Sequence, residues 1–318
     1  MKQTLGILAL LTALAACAMP PETQRLHTAP MAPVPGAYDP GPPRPLPPMR
    51  ANAEMVEDVL EMGFFMESGR AIPQFSRFVG PVSVVTRGEM PTLARADLAR
   101  LLGRLRDEAG LEIAQAPDNT AAPGANVVTV EFVPRRQMRS VVPAAACFVV
   151  PNVESWQDFS AKRRSPSIDW TRIGQRRAAA VFVPADTTPQ EVRDCLHEEI
   201  AQALGPLNDL YRLTDSVFND DNFQTTLTGF DMLVLRVWNA PELQPGMTRD
   251  EVAARLPTLL NHLNPAGHRS AGPPAGPTPR EWVLAIEQAL SSENNLDERR
   301  AGAMRALDLA RAQGWGGS

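Results

Sequence analysis

The chain predicts an α+β fold, and three observations carry that reading. Apolar periodicity runs in the order helix, strand, helix, several strands, then helices, without the regular strand–helix alternation of a parallel α/β fold. Hydrophobic residues make up 44% of the 318-residue chain and charged residues 21%, enough for a real core and enough to exclude a wholly disordered protein. The 31 prolines gather mainly in two stretches, which set off the foldable part from its flanks. A net charge of −5 excludes a nucleic-acid binder that works through a basic surface. Only Lys2 and Lys162 among the 31 basic residues are lysines, a compositional bias toward arginine that points to no function.

The first segment, 1–17, reads as a signal peptide. Lys2 supplies a short positive region, and Leu5 to Ala16 an apolar run too short to span a bilayer of ~30 Å. The run ends Leu14-Ala15-Ala16-Cys17, which resembles a bacterial lipobox, with Cys17 lipidated as the first mature residue. Several acyl chains, at ~0.8 kcal/mol per buried CH2, make a stable membrane anchor. Ala18 stands where an Asp favours retention in the inner membrane, so the outer membrane is the expected address. Residues 18–50 follow as a tether. Pro20, Pro21, Pro30, Pro33, Pro35 and the run from Pro40 to Pro48 favour polyproline II at ~3.1 Å per residue.

The main domain is expected over residues 51–264. Asn52 is a candidate cap for a helix to about Glu67, with Met55, Val59 and Met62 on one face. Pro81 to Thr86 alternates as a strand, and Leu93 to Ala109 reads as a helix with Leu98, Leu101, Leu102 and Leu105 in a stripe. Leu111 to Ala114, Asn126 to Val133, Ala146 to Val150 and Ala178 to Val183 read as further strands. Three helix starts carry capping boxes, Thr188 with Glu191, Thr248 with Glu251 and Thr278 with Glu281. The helix from Pro189 stops at Gly205-Pro206. Helices over Thr228 to Trp238 and Arg249 to Leu263 follow. Residues 265–279 form a Pro/Gly linker, and 280–318 two short helices paired outside the main core.

Setting Cys17 aside leaves Cys147 and Cys195. In an oxidising compartment an even pair predicts a disulfide, the alternative being two separate buried thiols.

One constellation carries chemistry. On the helix from Pro189, Val192, Leu196, Ile200, Ala203 and Leu204 form the core stripe. Glu198 and Gln202 share another face one turn apart, Glu199 lies on the flank, and Asn208 follows three residues after Gly205. This spacing resembles the H-E-x-x-H-x-x-G-x-x-H motif of metzincin zinc peptidases, in which three His bind zinc and the Glu acts on water. Here the three His positions hold Glu198, Gln202 and Asn208, while Glu199 and Gly205 match the motif. Ser216-Val217-Phe218 stands where a Met-containing turn is expected, with Phe in place of Met. His197 points away from the Glu198/Gln202 face and reads as a partly exposed helix histidine. Oxygen donors suit Ca or Mg rather than Zn, so no metal is assigned and no cofactor expected, a weak cation being the alternative. Asp209 and the run Asn219-Asp220-Asp221-Asn222 could add charge. The run lacks the spacing of a calcium loop and reads as a polar turn.

The stretch from Cys147 through Met247 resembles a bacterial lipoprotein family known as domain of unknown function 2927. The residues that carry the resemblance are Cys195-Leu-His-Glu-Glu199, Gln202-Ala-Leu-Gly205, Asn208-Asp209, Ser216 to Asp220, Thr228-Gly-Phe-Asp231, Leu235-Arg236 and Pro245-Gly-Met247. The resemblance implies an exported or lipid-anchored protein and makes a zincin-like domain plausible, with a small mixed sheet and a long motif-bearing helix. It implies no activity.

The expectation is a lipid-anchored, periplasm-facing envelope protein with a degenerate metallopeptidase-like domain in a binding or structural role. It would meet the membrane through Cys17 and an envelope protein or peptide ligand through its cleft. Two alternatives stand beside it: a metal-dependent hydrolase with Glu199 as general base, and an interaction protein with a vestigial cleft that acts through its C-terminal helices. The anchor is directly testable. Radiolabelled palmitate should enter the wild-type protein and not Cys17→Ala, which should leave the membrane fraction or fail to mature; equal labelling of both would overturn the lipobox assignment.

Overall fold

The computed structural model describes residues 48–143, 145–219, 224–270, 279–291 and 294–312. Cys17, the signal peptide and almost all of the tether lie outside these residues, as do Thr278 and Asp220 to Asn222. The fold is α+β. Its centre is a five-stranded mixed sheet in the order β2-β1-β3-β5-β4, built from β1 (Val82–Gly88), β2 (Ile113–Gln115), β3 (Asn126–Val133), β4 (Phe148–Pro151) and β5 (Ala178–Pro184). β2, β1, β3 and β5 are parallel, and β4 pairs antiparallel with β5 at the edge.

The continuous apolar run of β5 follows from burial on both sides. Ala179, Val181 and Val183 join the main core, whereas Ala180 and Phe182 face a second cluster with Val150, Val153, Trp156 and Phe159. That second layer is made by α3 (Arg135–Arg139) and α4 (Trp156–Lys162), two short helices with no counterpart in the sequence reading. Glu131 of β3 accepts a hydrogen bond from the Trp156 backbone N–H at 2.7 Å and so satisfies one of the open donors at the start of α4.

The main core lies on the other face, under α1 (Asn52–Gly63), α2 (Thr92–Asp107), α5 (Pro189–Leu204), α6 (Gly229–Trp238) and α7 (Arg249–Leu263). The leucine stripe of α2 and the Met55/Val59/Met62 face of α1 are buried as expected. Two details of α1 differ from expectation. It ends at Gly63, and Ala51 rather than Asn52 is its N-cap. The Asn52 side chain instead donates to Asn261 Oδ1 at 2.9 Å and to the Asn264 carbonyl at 3.0 Å, which ties α1 to the end of α7. Gly63 is required by contact: a Cβ there would sit 2.4 Å from the Trp238 ring of α6.

The capping boxes also divide. Thr248 and Glu251 form the reciprocal pair. Thr188 accepts from the Glu191 N–H at 3.2 Å, but the Glu191 carboxylate turns to Arg135 and Thr187 instead of the cap backbone. A further box, Thr228 with Asp231, starts α6. Residues 265–267, expected as linker, form a 3-10 turn with Gly267 buried. α8 (Arg280–Leu290) and α9 (Leu296–Ala312) pack together as a separate pair, with Trp282 edge-on to Tyr211 at 6.4 Å.

Two cross-links hold α5. Cys147, just before β4, is disulfide-bonded to Cys195 of α5, with their Cα atoms 5.8 Å apart. Arg176, two residues before β5, is 1% exposed, and its Nη1 donates to the carbonyls of Gln202 at 2.8 Å and Ala203 at 2.7 Å. Those carbonyls belong to the last turn of α5, which has no intrahelical donors for them. Arg176→Met should cost about 3 kcal/mol, from two charge-assisted hydrogen bonds of at least ~1.5 kcal/mol each. Urea denaturation checks this, and a cost under about 1 kcal/mol would show that solvent replaces the guanidinium.

Candidate functional site

The site is built on α5. Thr188 caps it, Pro189 occupies its first position without needing a donor, and Gly205 ends it. Gly205 is needed for space, since a Cβ there would meet Leu235 Cδ2 at 2.6 Å and the Ala201 carbonyl at 3.0 Å. Phe218 lies directly beneath, its Cζ 3.8 Å from that same point and its side chain fully buried. The chain folds back there because the Leu210 N–H donates to the Phe218 carbonyl at 3.0 Å. Below it, Asp231 is fully buried and gathers the Ser216 hydroxyl at 2.5 Å, the Val217 N–H at 3.2 Å and the Thr228 N–H at 2.7 Å. Burial pushes the Asp231 carboxyl up to about 6 despite these donors.

Asp194, Glu198 and Gln202 occupy successive turns of α5 at i, i+4 and i+8. Glu198 is half-buried and lines a small recess with Asp194, Val217, Gln224 and Thr225. Asp194 accepts from Gln190 Nε2 at 2.6 Å, and burial, with Glu198 and Glu191 nearby, raises it to about 7. Gln202 is 6% exposed and donates to Glu67 Oε1 at 3.4 Å. Glu199 is 5% exposed, and its Oε2 is buried with no hydrogen-bond partner. Burial first, then the charges of Glu198 and Glu67, raise its pKa well above the usual carboxylate range and favour the neutral acid.

Glu198, Glu199 and Gln202 are therefore neighbours, joined by Glu67 from the loop after α1. Asn208 is directed elsewhere: its Nδ2 donates to the Glu61 carbonyl at 3.2 Å and its backbone N–H to the Met62 carbonyl at 3.0 Å, both at the end of α1. Gln202 and Asn208 form no hydrogen bond to each other. Asp209 is half-buried beside Asn208. Among the described residues, no group of three or more His, Cys, Asp or Glu is arranged to hold a metal ion.

His197 corrects the sequence reading. It is 3% exposed rather than partly exposed, and its Nδ1 accepts from the Leu227 N–H at 3.0 Å. Burial, reinforced by Arg104, Arg193 and Arg100, lowers its pKa to about 3 and keeps the ring neutral. It fastens α5 to the segment before α6. Beside it Arg193 pairs with Asp97 of α2 at 2.9 Å, both side chains buried.

The sequence reading gave no role to Glu67, Asp194 or Arg176, and named Asp231 only within the family resemblance. The i, i+4 step from Asp194 to Glu198 was a usable signal, and so was the Thr228-x-x-Asp231 spacing. Nothing in the sequence places the loop residue Glu67 against Gln202, or Arg176 beneath the end of α5.

Fold and site together define an α+β domain whose helix α5 carries Asp194, Glu198, Glu199 and Gln202 beside Glu67. The chain belongs to the family described as protein of unknown function DUF2927, whose model matches residues 52–258 and so leaves out α8 and α9. No curated protein and no solved structure matches it.

The raised pKa of Glu199 has a definite sign. The folded state holds the Glu199 proton more tightly than the unfolded chain, whose value is near 4.5. Its favourable contribution is complete below that value and falls as pH rises toward the folded pKa. Glu199→Gln, which imitates the neutral acid, should change stability little at pH 4 and raise the melting temperature at pH 8, by roughly 2–4 °C per kcal/mol. Thermal unfolding at the two pH values checks this; a loss of stability at pH 8 would show that the ionised carboxylate is the native form.

Proposed function

We propose that this protein is a lipid-anchored component of the bacterial envelope whose domain keeps the framework of a metzincin-like peptidase without its metal chemistry, and that it serves in binding or structure. One observation carries the reading: the three ligand positions of the motif hold Glu198, Gln202 and Asn208, and the last two are already hydrogen-bonded within the protein, to Glu67 and to the Glu61 carbonyl. The framework around them supports the comparison. The mixed sheet precedes a long helix, the helix breaks at a sterically required Gly205, and Phe218 fills the place beneath it.

The residues present do not fit a zinc ion. Neutral amides are poor ligands beside imidazole, Asn208 is turned to α1, and His197 is buried as an acceptor on another face. The hydrolase alternative needs Glu199 as an ionised base, whereas its surroundings favour the acid. The oxygen-rich character of Glu67, Glu198 and Gln202 leaves Ca or Mg as the cations this face would take, if any. The third alternative draws support from Leu284, Leu296, Met304 and Leu307, large apolar side chains exposed on α8 and α9.

Elemental analysis of the purified, dialysed protein tests the reading. The expected result is no stoichiometric zinc and no chelator-sensitive peptidase activity. About one zinc per chain, lost in Glu198→Ala or Asn208→Ala, would overturn the proposal in favour of the hydrolase. Bound calcium would support a cation-binding form of the same non-catalytic role.

A further inference from the structure

One cavity among the described residues lies away from the acids of α5. It has a volume of about 480 Å³, within the ~300–1,000 Å³ range of small-molecule sites. It opens between the α2–β2 connection, the end of α6 and the last turn of α7. Phe78, Leu111, Ile113, Leu204, Leu259 and Leu263 give it an apolar body.

Its polar groups are unequal in burial. Arg77 is 7% exposed. It donates from Nε to the Leu243 carbonyl at 2.7 Å and from Nη1 to the Phe78 carbonyl at 2.9 Å, and Nη2 has no hydrogen-bond acceptor among the described residues. Arg236 lines the same cavity, is exposed, and forms no ion pair among the described residues. Glu112 and Glu242 also line it, but both are exposed, and neither pairs with these arginines. An exposed carboxylate is satisfied by water, whereas a buried guanidinium without a counter-ion is costly. The one buried charge of the cavity, that of Arg77, is therefore positive, and Arg236 adds a second guanidinium at the exposed rim.

We infer that this cavity binds a small amphipathic carboxylate, its anionic head on Arg77 and Arg236 and its hydrocarbon body along the Phe78–Leu111–Leu263 wall. Planar guanidinium donors match the two oxygens of a carboxylate, and the apolar wall favours a ligand that carries a chain. The site shares no residue with the Glu198/Glu199/Gln202/Asn208 group. The inference stands apart from the peptidase-like reading.

Octanoate is the probe, with octanamide as its uncharged analogue and inorganic phosphate as a head without a chain. Isothermal titration calorimetry on the full chain should give saturable 1:1 binding of octanoate, with octanamide weaker by about tenfold or more, the value of one charge-assisted hydrogen bond. Arg236→Gln, at an exposed position with no ion-pair partner among the described residues, should weaken octanoate to a similar extent, and Arg236→Lys should recover part of the loss. Leu263→Trp, which fills the cavity, should abolish binding. Inorganic phosphate should not saturate the site. Absence of octanoate binding, equal binding of octanamide, tight binding of phosphate, or indifference to both Arg236→Gln and Leu263→Trp would each overturn the assignment.

Discussion

The contact on which the rest of the domain depends is the one between Arg176 and the end of α5. A guanidinium that is 1% exposed carries a large desolvation cost, and burial lowers its pKa to about 9. Three things offset that cost. Two carbonyls of the last helical turn accept from Nη1, the negative end of the helix dipole lies along the same direction, and the Trp170 ring sits 4.9 Å from Cζ. The backbone on each side is held as well, because the Arg176 N–H donates to the Arg77 carbonyl and Nε donates to Ser76. One side chain thus fixes where β5 begins, where α5 ends, and how the segment before β1 lies against both. It also allows the turn at Gly205, since carbonyls satisfied by Arg176 need no donor from the chain beyond.

The two ends of α5 are held on different principles. At the C-terminal end the restraint is a buried cation. In the first half of the helix it is covalent, through Cys147–Cys195, and ionic, through Arg193 with Asp97. His197 adds a neutral acceptor for the Leu227 N–H. These restraints surround a face on which Asp194, Glu198 and Glu199 crowd like charges. The proton balance follows from their surroundings. Asp194, raised to about 7, and Asp231, raised to about 6, favour the folded state toward lower pH, in the window above their unfolded values near 3.8. His197 acts in the opposite sense. Its folded value near 3 lies below the unfolded 6.5, so acidification from 6.5 downward costs stability as the unfolded chain takes up the proton first. The carboxyls and the histidine therefore oppose each other across the mildly acidic range.

The sequence was most legible where local chemistry and tertiary packing agree. β3 and α7 have the boundaries that were read from the chain, because alternation in one and the Thr248 box in the other are also what the core requires. The disulfide followed from cysteine count, and the core stripe of α5 from its 3.6-residue period. The reading failed where a side chain chose a distant partner over a local one. Asn52 has the right chemistry for an N-cap, yet two asparagines at the end of α7 engage it. Asp231 belongs to a Thr-x-x-acid box of the same form as the three read from the chain but not counted with them, and its shorter carboxylate reaches the Thr228 N–H at 2.7 Å. Helical angles placed His197 off the acid face but said nothing of the segment that covers it. Glu67 was read as the end of the first helix but lies in the loop beyond Gly63, so its approach to Gln202 is information held by the fold alone.

A helix with three committed faces also explains why an acid cluster can persist at its centre. Val192, Leu196, Ile200 and Leu204 are all at or below 2% exposed and anchor α5 to the core. Burial of side chains this size contributes roughly 1.5–3 kcal/mol each. That sum exceeds the penalty of a single carboxyl held in its neutral form, about 1.4 kcal/mol for each unit its pKa is raised. Glu199 can therefore sit beside Glu198 and Glu67 without unfolding the helix that bears it. Its position is imposed by the core stripe and by Arg176.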